Sequence, residues 1–304
     1  MSLTRLFYPL GCLALAATVS SGCSLKTMAV RTVADTLSES GDVFSRDDDP
    51  DLVGDALPFA LKLYESLLES VPEHAPLLVA TCSGFTQYAY AFVQTEADMV
   101  READYERATA LDARALRLYL RGRGYCLRAL ELRFPGAGDR LTLEADVVLA
   151  PARRDDVELL YWTAASWGSA IALAPDRPEL LIDFPAVRAL IDRAATLDDT
   201  WGDGAIHETL ITFESLESLG GTREKAREHF ARAVELQEGT SPGPYVALAV
   251  GVSVAAQDRT EFETLLEQAL AVDPDANPSI RLATLITQRR ARALLANADS
   301  LFAQ

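Results

Sequence analysis

The chain has 304 residues, 49% of them hydrophobic, with 28 basic residues against 45 acidic ones. That is enough apolar material for one large folded domain or a continuous repeat array, and too much for a disordered tail. A net charge of −17 repels phosphate backbones and anionic headgroups, which argues against nucleic acid and against a polybasic membrane patch.

In chain order, residues 1–23 come first. Arg5 is the sole charge, Leu6 to Val19 is an apolar run, and Ser20-Ser21-Gly22 leads into Cys23. A charged start, an apolar stretch of secretory length and small residues before a cut read as a signal peptide. A cysteine directly after the small residues makes it a lipoprotein signal, because the thiol of the new N-terminus takes the diacylglycerol. Ser20 stands where Leu is usual, so an ordinary exported protein is the alternative. On the lipoprotein reading, residues 1–22 are removed and residues 23–304 are anchored through Cys23 at a bilayer surface, facing a non-cytosolic compartment. Ser24 is not the Asp that retains many lipoproteins at the inner membrane, so either membrane stays open. Arg5 leaves with the signal, so 27 basic residues face 45 acidic ones, a net −18. No later segment offers ~18 uninterrupted apolar residues, so the body does not span a membrane.

Everything after Cys23 reads as helix. Leu57, Ala60, Leu61, Tyr64, Leu67, Leu68 and Val71 recur at helical spacing. Pro76 suits a first helical turn, and Leu78, Cys82, Phe85, Ala89 and Phe92 continue an apolar stripe. A long stretch from Tyr105 to Arg133 stops at Pro135-Gly136. Residues 137–153 lack helical rhythm and read as a loop or degraded helix. Asp155 or Asp156 can cap the next helix, which runs through Leu173 and stops before Pro175. Gly220-Gly221, Gly239, Pro242 and Pro274 mark later stops, and Asn277-Pro278 opens the last helix, towards Leu301. No strand pattern competes.

Cys12 lies in the signal and Cys23 is the lipid site, leaving Cys82 and Cys126. An oxidising compartment would permit a bridge between them. Their apolar helical neighbours instead favour two buried free thiols.

The helices pair off as in tetratricopeptide (TPR) repeats, whose second helix carries a small residue, a large apolar one four on, and a small residue three further. Ala226, Phe230 and Ala233 fit; Phe262, Leu266, Ala269 and Pro274 fit with a bulky first position. Ala60, Tyr64, Leu67 and Pro72 fit with a large third, and Ala115, Tyr119 and Gly122 form a degraded copy. Ala226 to Phe262 spans 36 positions, near the ~34 of this repeat. Small residues let the helices of a unit approach, and the large one fills the gap to the next unit. A generic helical bundle would also supply such alternation. The expected fold is all-α, an irregular TPR-like array of about a dozen helices.

Motifs of chemistry are missing. His207-Glu208 is followed by Ile211 where a zinc protease helix needs its second His. His74 and His229 read as structural. Asp47-Asp48-Asp49 with Asp51 lacks the spacing and glycine of a calcium loop, and reads as an acidic helix start. No nucleophile elbow, phosphate loop or dinucleotide fingerprint occurs. Neither an enzyme, a metal nor a cofactor is expected.

Aromatic residues are the stronger signal. Tyr161, Trp162 and Trp167 crowd one helix, with Gly168 letting a neighbour pack close. Five residues turn a helix by ~500°, so Trp162 and Trp167 lie on different faces, one core and one free to line a groove. Arg121, Arg123 and Arg128 cluster beside Tyr119 and Tyr125, either to bind an anion or to pair with local carboxylates. A cleft needs apolar walls and a few orienting polar groups. Phe85, Tyr88, Tyr125, Tyr161, Trp162 and Trp201 are the candidate walls, with Arg121, Arg123 and His207 as carboxylate partners. The competing reading packs these aromatics into the repeat core.

Several strings together carry a resemblance. The acidic start before Leu52-Val53, then Ala56-Leu57-Pro58-Phe59 and Leu61-Lys62, comes first. Arg121-Gly122-Arg123, Tyr125-Cys126-Leu127-Arg128 and the run from Tyr161 to Gly168 follow. Gly204-Ala205-Ile206-His207-Glu208 and Gln288-Arg289-Arg290-Ala291-Arg292 complete the set. In order, over nearly the whole mature chain, they resemble TatT, the T-component lipoproteins of tripartite ATP-independent periplasmic (TRAP) transporters. The resemblance implies a periplasmic, all-helical, TPR-like lipoprotein that forms homotrimers. It implies docking to the periplasmic substrate-binding protein of a TRAP system, with a pore or cleft for a small hydrophobic or carboxylate ligand. The alternative is a TPR lipoprotein scaffold in envelope assembly, without a small ligand.

Overall fold

In the computed structural model, which describes residues 28–37 and 42–302, every regular element is helical and no strand occurs among the described residues. The signal and Cys23 lie outside the described residues. Helix α1 covers residues 28–37, α2 Asp42–Ser45 and α3 Pro50–Ser70. The acidic run is a helix cap, as read: the Asp49 carboxylate accepts from the N–H groups of Asp51 and Leu52, both at 3.1 Å. Helix α4 (Ala75–Tyr88) is capped by His74, whose Nδ1 accepts from the Leu77 N–H at 3.2 Å while Nε2 meets Asp35 Oδ1 at 2.9 Å. The axis of α4 continues through a π-helical turn (Ala89–Gln94) into α5 (Thr95–Val100). There the Thr95 hydroxyl donates to the Tyr90 carbonyl at 2.9 Å.

The long helix α6 spans Tyr105–Arg133. Most of residues 137–153, expected as a loop or degraded helix, form α7 (Ala137–Leu149), broken at Glu144 with φ −138° and ψ 43°. Its rhythm is blurred because Leu143 and Val147 face solvent while Leu141 and Val148 are buried. Its start is capped from outside, by the Glu131 carboxylate of α6, which accepts from Gly136 N–H at 2.7 Å and Gly138 N–H at 2.9 Å.

Cys82 and Cys126 are a disulfide with Cα atoms 5.5 Å apart, which corrects the expectation of free thiols. Both sulfurs are fully buried, as a small hydrophobe would be. The approach of the helices decides the matter. Gly122, one turn before Cys126, lies so close to α4 that a Cβ there would sit 3.1 Å from the Cys82 carbonyl oxygen.

Next come α8 (Val157–Leu173), the short α9 (Pro178–Leu181), α10 (Phe184–Leu197) and α11 (Ala205–Glu214). Gly168 does admit a neighbour: a Cβ on it would collide with the Phe213 ring of α11. Then follow α12 (Arg223–Leu236), α13 (Gly243–Leu248) with a second π-helical turn (Ala249–Ser253), α14 (Arg259–Ala271), α15 (Arg281–Ala296) and α16 (Ala298–Leu301). Consecutive helices pack as hairpins, α3 on α4, α11 on α12, α14 on α15, with α4, α6 and α8 sharing contacts. The small positions of the repeat, Ala115, Ala226, Ala233 and Ala269, are fully buried, as are Tyr119, Phe262 and Leu266. Gln288 of α15 donates to the carbonyls of Ala269, Leu270 and Val272, closing the C-terminal end of α14.

The array curls until α15 docks on α2, α3 and α5. Polar contacts hold this seam: Arg290 to Asp98 at 2.8 Å and to the Tyr90 hydroxyl at 2.9 Å, and Arg289 to Asp51 at 2.7 Å. Beneath them, Val53, Leu282 and Ile286 form a small apolar cluster with Phe44, Leu57, Ala91 and Phe92.

Candidate functional site

A cleft of about 930 Å³ opens beside that seam. Five helices give most of its wall, with Asp35 of α1 and Phe44 and Ser45 of α2 adding to it. From α3 come Leu57, Ala60, Leu61 and Tyr64, at helical spacing. Helix α4 contributes Pro76, Val79, Ala80, Ser83, Gly84 and Gln87, continued by Tyr90 and Phe92 of the π-helical turn. The end of α6 supplies Ala129, Leu132 and Arg133; the start of α8 supplies Glu158, Leu159 and Trp162; α15 supplies Leu282, Ala283, Ile286 and Thr287. Small side chains on its walls, at Ala60, Ala80, Ser83, Ala129 and Ala283, leave the space open, whereas Gly84 lets Leu61 of α3 pack close. Apolar walls, this volume and a few polar groups are the usual makeup of a small-molecule site.

The polar lining is acidic. Among the described residues, Asp35, Asp155, Asp156 and Glu158 line the cleft against one cation, Arg133. That cation is already engaged: its Nε and Nη2 donate to the two oxygens of Asp156 at 2.6 and 2.9 Å. Desolvation pushes the Glu158 carboxyl above the ordinary carboxylate range.

Of the nine residues expected to form a ligand site, Trp162 lines this cleft and the other eight lie elsewhere. Phe85 and Tyr125 stack on each other at 6.1 Å, with the Arg121 guanidinium 5.1 Å over Phe85. Arg121 grips Glu65 through two bonds of 2.5 and 2.7 Å, and the Tyr125 hydroxyl donates to the same carboxylate at 2.7 Å. Here the local-pairing alternative holds. Tyr88 lies under Arg114, whose guanidinium donates to its hydroxyl at 3.2 Å. Arg123 lies 5.0 Å over the buried Trp167 ring and 3.9 Å from Asp183, and desolvation holds its pKa below the usual value.

Tyr161 joins Trp162 at 4.9 Å to Trp201 at 4.7 Å, so the aromatic set runs from the cleft wall into the protein. Tyr161 is buried, and desolvation raises its phenol to about 12. His207 faces His229 with Nδ1 atoms 3.0 Å apart and has Asp199 at 3.7 Å. Desolvation lowers both imidazoles, so the pair is held neutral. No cluster of three or more His, Cys, Asp or Glu side chains among the described residues could hold a metal ion.

The missed lining residues left a faint trace: small residues at three- and four-residue spacing on α4, at Ala80, Ser83 and Gly84. The α15 wall left none, because nothing local says that the last long helix returns to the first.

Fold and site together define a class: a curled array of helical hairpins enclosing an apolar, acid-rimmed cleft, with no described helix long and apolar enough to cross a membrane. Residues 46–302 match the family model described as TRAP transporter T-component. A protein of Treponema pallidum (strain Nichols), described as "Uncharacterized protein", is 33% identical over 304 positions, covering 93% of this chain and 94% of its own. The chain belongs to the TRAP transporter T-component family.

Proposed function

We propose that this protein is a periplasmic lipoprotein, anchored through Cys23, that docks the substrate-binding protein of a TRAP transporter and binds or channels a small hydrophobic ligand through the cleft. The cleft carries the reading: about 930 Å³ of space walled by apolar side chains from five helices is more than packing requires. The Cys82–Cys126 disulfide supports an oxidising compartment.

Ala283 is exposed and faces the cleft, so Ala283→Trp adds bulk there without overpacking the core. The variant should fold with an unchanged melting temperature and lose about tenfold or more in ligand affinity, ~1.4 kcal/mol. Native mass spectrometry of the complex purified from envelopes reads both the small molecule and the substrate-binding protein. A folded variant carrying the same ligand at the same occupancy would exclude the cleft as its site.

Trimer formation is part of the same proposal and needs an apolar contact. Helix α3 shows one on its outer face, where Leu52, Phe59 and Leu63 are 60%, 75% and 37% exposed with Ala56 between them. The proposed occupant is a second copy of this chain. Phe59→Asp should shift the mass by light scattering from trimer to monomer at micromolar concentration; a trimer that persists places the contact elsewhere.

A further inference from the structure

We infer that the ligand of the cleft is a cationic amphiphile, an ammonium-type head on an apolar body, and that Asp155, Glu158 and Trp162 receive the head. This rests on the cleft being the ligand site and adds the chemical class. The cleft offers an anionic ligand nothing free: its one described cation, Arg133, is bound through two bonds to Asp156. A carboxylate would instead meet Asp35, Asp155 and Glu158.

The geometry of α8 and the turn before it makes the complementary case. Asp155, Glu158, Leu159 and Trp162 fall at i, i+3, i+4 and i+7, so one face presents two carboxylates, an aliphatic group and an indole to the same cavity. An acidic residue at a helix start is ordinarily explained by capping and the helix dipole. Here the capping contact is made by Asp156, which accepts the Arg153 N–H at 2.8 Å in the short turn before α8, while Asp155 and Glu158 cap nothing. Asp155 and Glu158 make no hydrogen bond or ion pair among the described residues. Glu158 is an exposed residue, and the protein around its carboxyl desolvates it with no donor to compensate, which raises its pKa. An ammonium placed there supplies the missing charge, and the Trp162 face supplies the quadrupole that attracts it. The apolar body then runs along Leu57, Phe92, Leu282 and Ile286.

The test uses the full-length protein in phosphatidylcholine nanodiscs, with empty discs as blank, and three probes sharing one tail: octyltrimethylammonium, 1-octanol and octanoate. Calorimetry should rank the ammonium about tenfold tighter than the alcohol, with octanoate weakest. In the double variant Asp155→Asn, Glu158→Gln the ammonium-to-alcohol affinity ratio should fall towards one. Trp162→Leu, which keeps apolar bulk and removes the indole face, should lower the same ratio and serves if the double variant misfolds. Octanoate binding as tightly as octanol, or a ratio unmoved in the folded variants, overturns the cationic assignment and leaves the cleft as the ligand site. Failure of all three probes, the alcohol included, overturns the cleft reading and this inference with it.

Discussion

Replacing Cys82 and Cys126 together with alanine should destabilise the protein by about 4 kcal/mol. The bridge spans a sequence separation of 44 residues, and closing a loop of that length in the unfolded chain is worth about 4 kcal/mol by chain entropy. Both side chains are fully buried where α4 crosses α6, so alanine adds a modest packing loss to the entropic one. In a chain of this size the melting temperature should fall by roughly 10 °C. The same two helices carry the inner cleft wall, with Val79, Ser83 and Gly84 on α4 and Ala129 and Arg133 on α6. Ligand binding should therefore weaken at temperatures where the oxidised protein is still fully folded. The measurement is a thermal scan of both forms, with thiol titration of the exported, denatured, unreduced protein. With the Cys23 thiol taken by the lipid, two titratable thiols would show that the bridge does not form in the cell.

How much of this was legible depends on the range of the signal. Local signals read well. The acidic run Asp47-Asp48-Asp49 announces α3, Pro76 announces α4, and the Ala226–Phe230–Ala233 spacing marks a repeat helix whose small positions are buried. Helix α7 was obscured because its cap comes from Glu131 on the previous helix and two of its leucine and valine side chains face water. The disulfide was illegible for a related reason: buried half-cystine and buried thiol share one apolar sequence context, and the deciding fact is the close approach at Gly122. Trp162 lines the cleft while Trp167, on another face of the same helix, is 4% exposed, a difference of face that helical spacing alone carries. The arginines allowed two readings in the sequence, anion binding or pairing, and in a helical array charges pair between neighbouring helices, as Arg121 does with Glu65 across 56 positions. The cleft itself is a product of closure, since α15 meets α3 and α5 across nearly the whole chain.

Arg188→Ala should cost about 3–5 kcal/mol at neutral pH, the penalty of leaving a buried carboxylate without its partner. Glu214 at the end of α11 has a fully buried side chain. Burial alone would raise its pKa, yet the Arg188 guanidinium at 2.6 Å and the Thr222 N–H at 3.1 Å together hold it below the ordinary value. A depressed folded-state pKa means that this stabilisation is fully present above the unfolded glutamate value, ~4.3, and is lost as pH falls through the folded value. In Arg188→Ala desolvation is opposed by the Thr222 N–H and the Lys225 charge alone, so the Glu214 pKa should rise. The variant's deficit should then be widest at pH 7.5 and narrow as acid protonates the stranded carboxyl. Urea unfolding at pH 7.5 and 4.5 reads both statements. Glu214→Gln, which stays neutral and can still accept from Thr222, should be milder, and adding it to Arg188→Ala should recover part of the loss rather than add to it. A deficit below ~1 kcal/mol, or one that does not change with pH, would mean that water reaches Glu214 and the pair is an ordinary surface contact. The location gives the effect its reach. Helix α11 sends Leu210 and Phe213 into the core built from the first half of the chain and Ile211 into the core of the last helices. Loosening it should uncouple the halves, and α15 can complete the cleft only while they are held together.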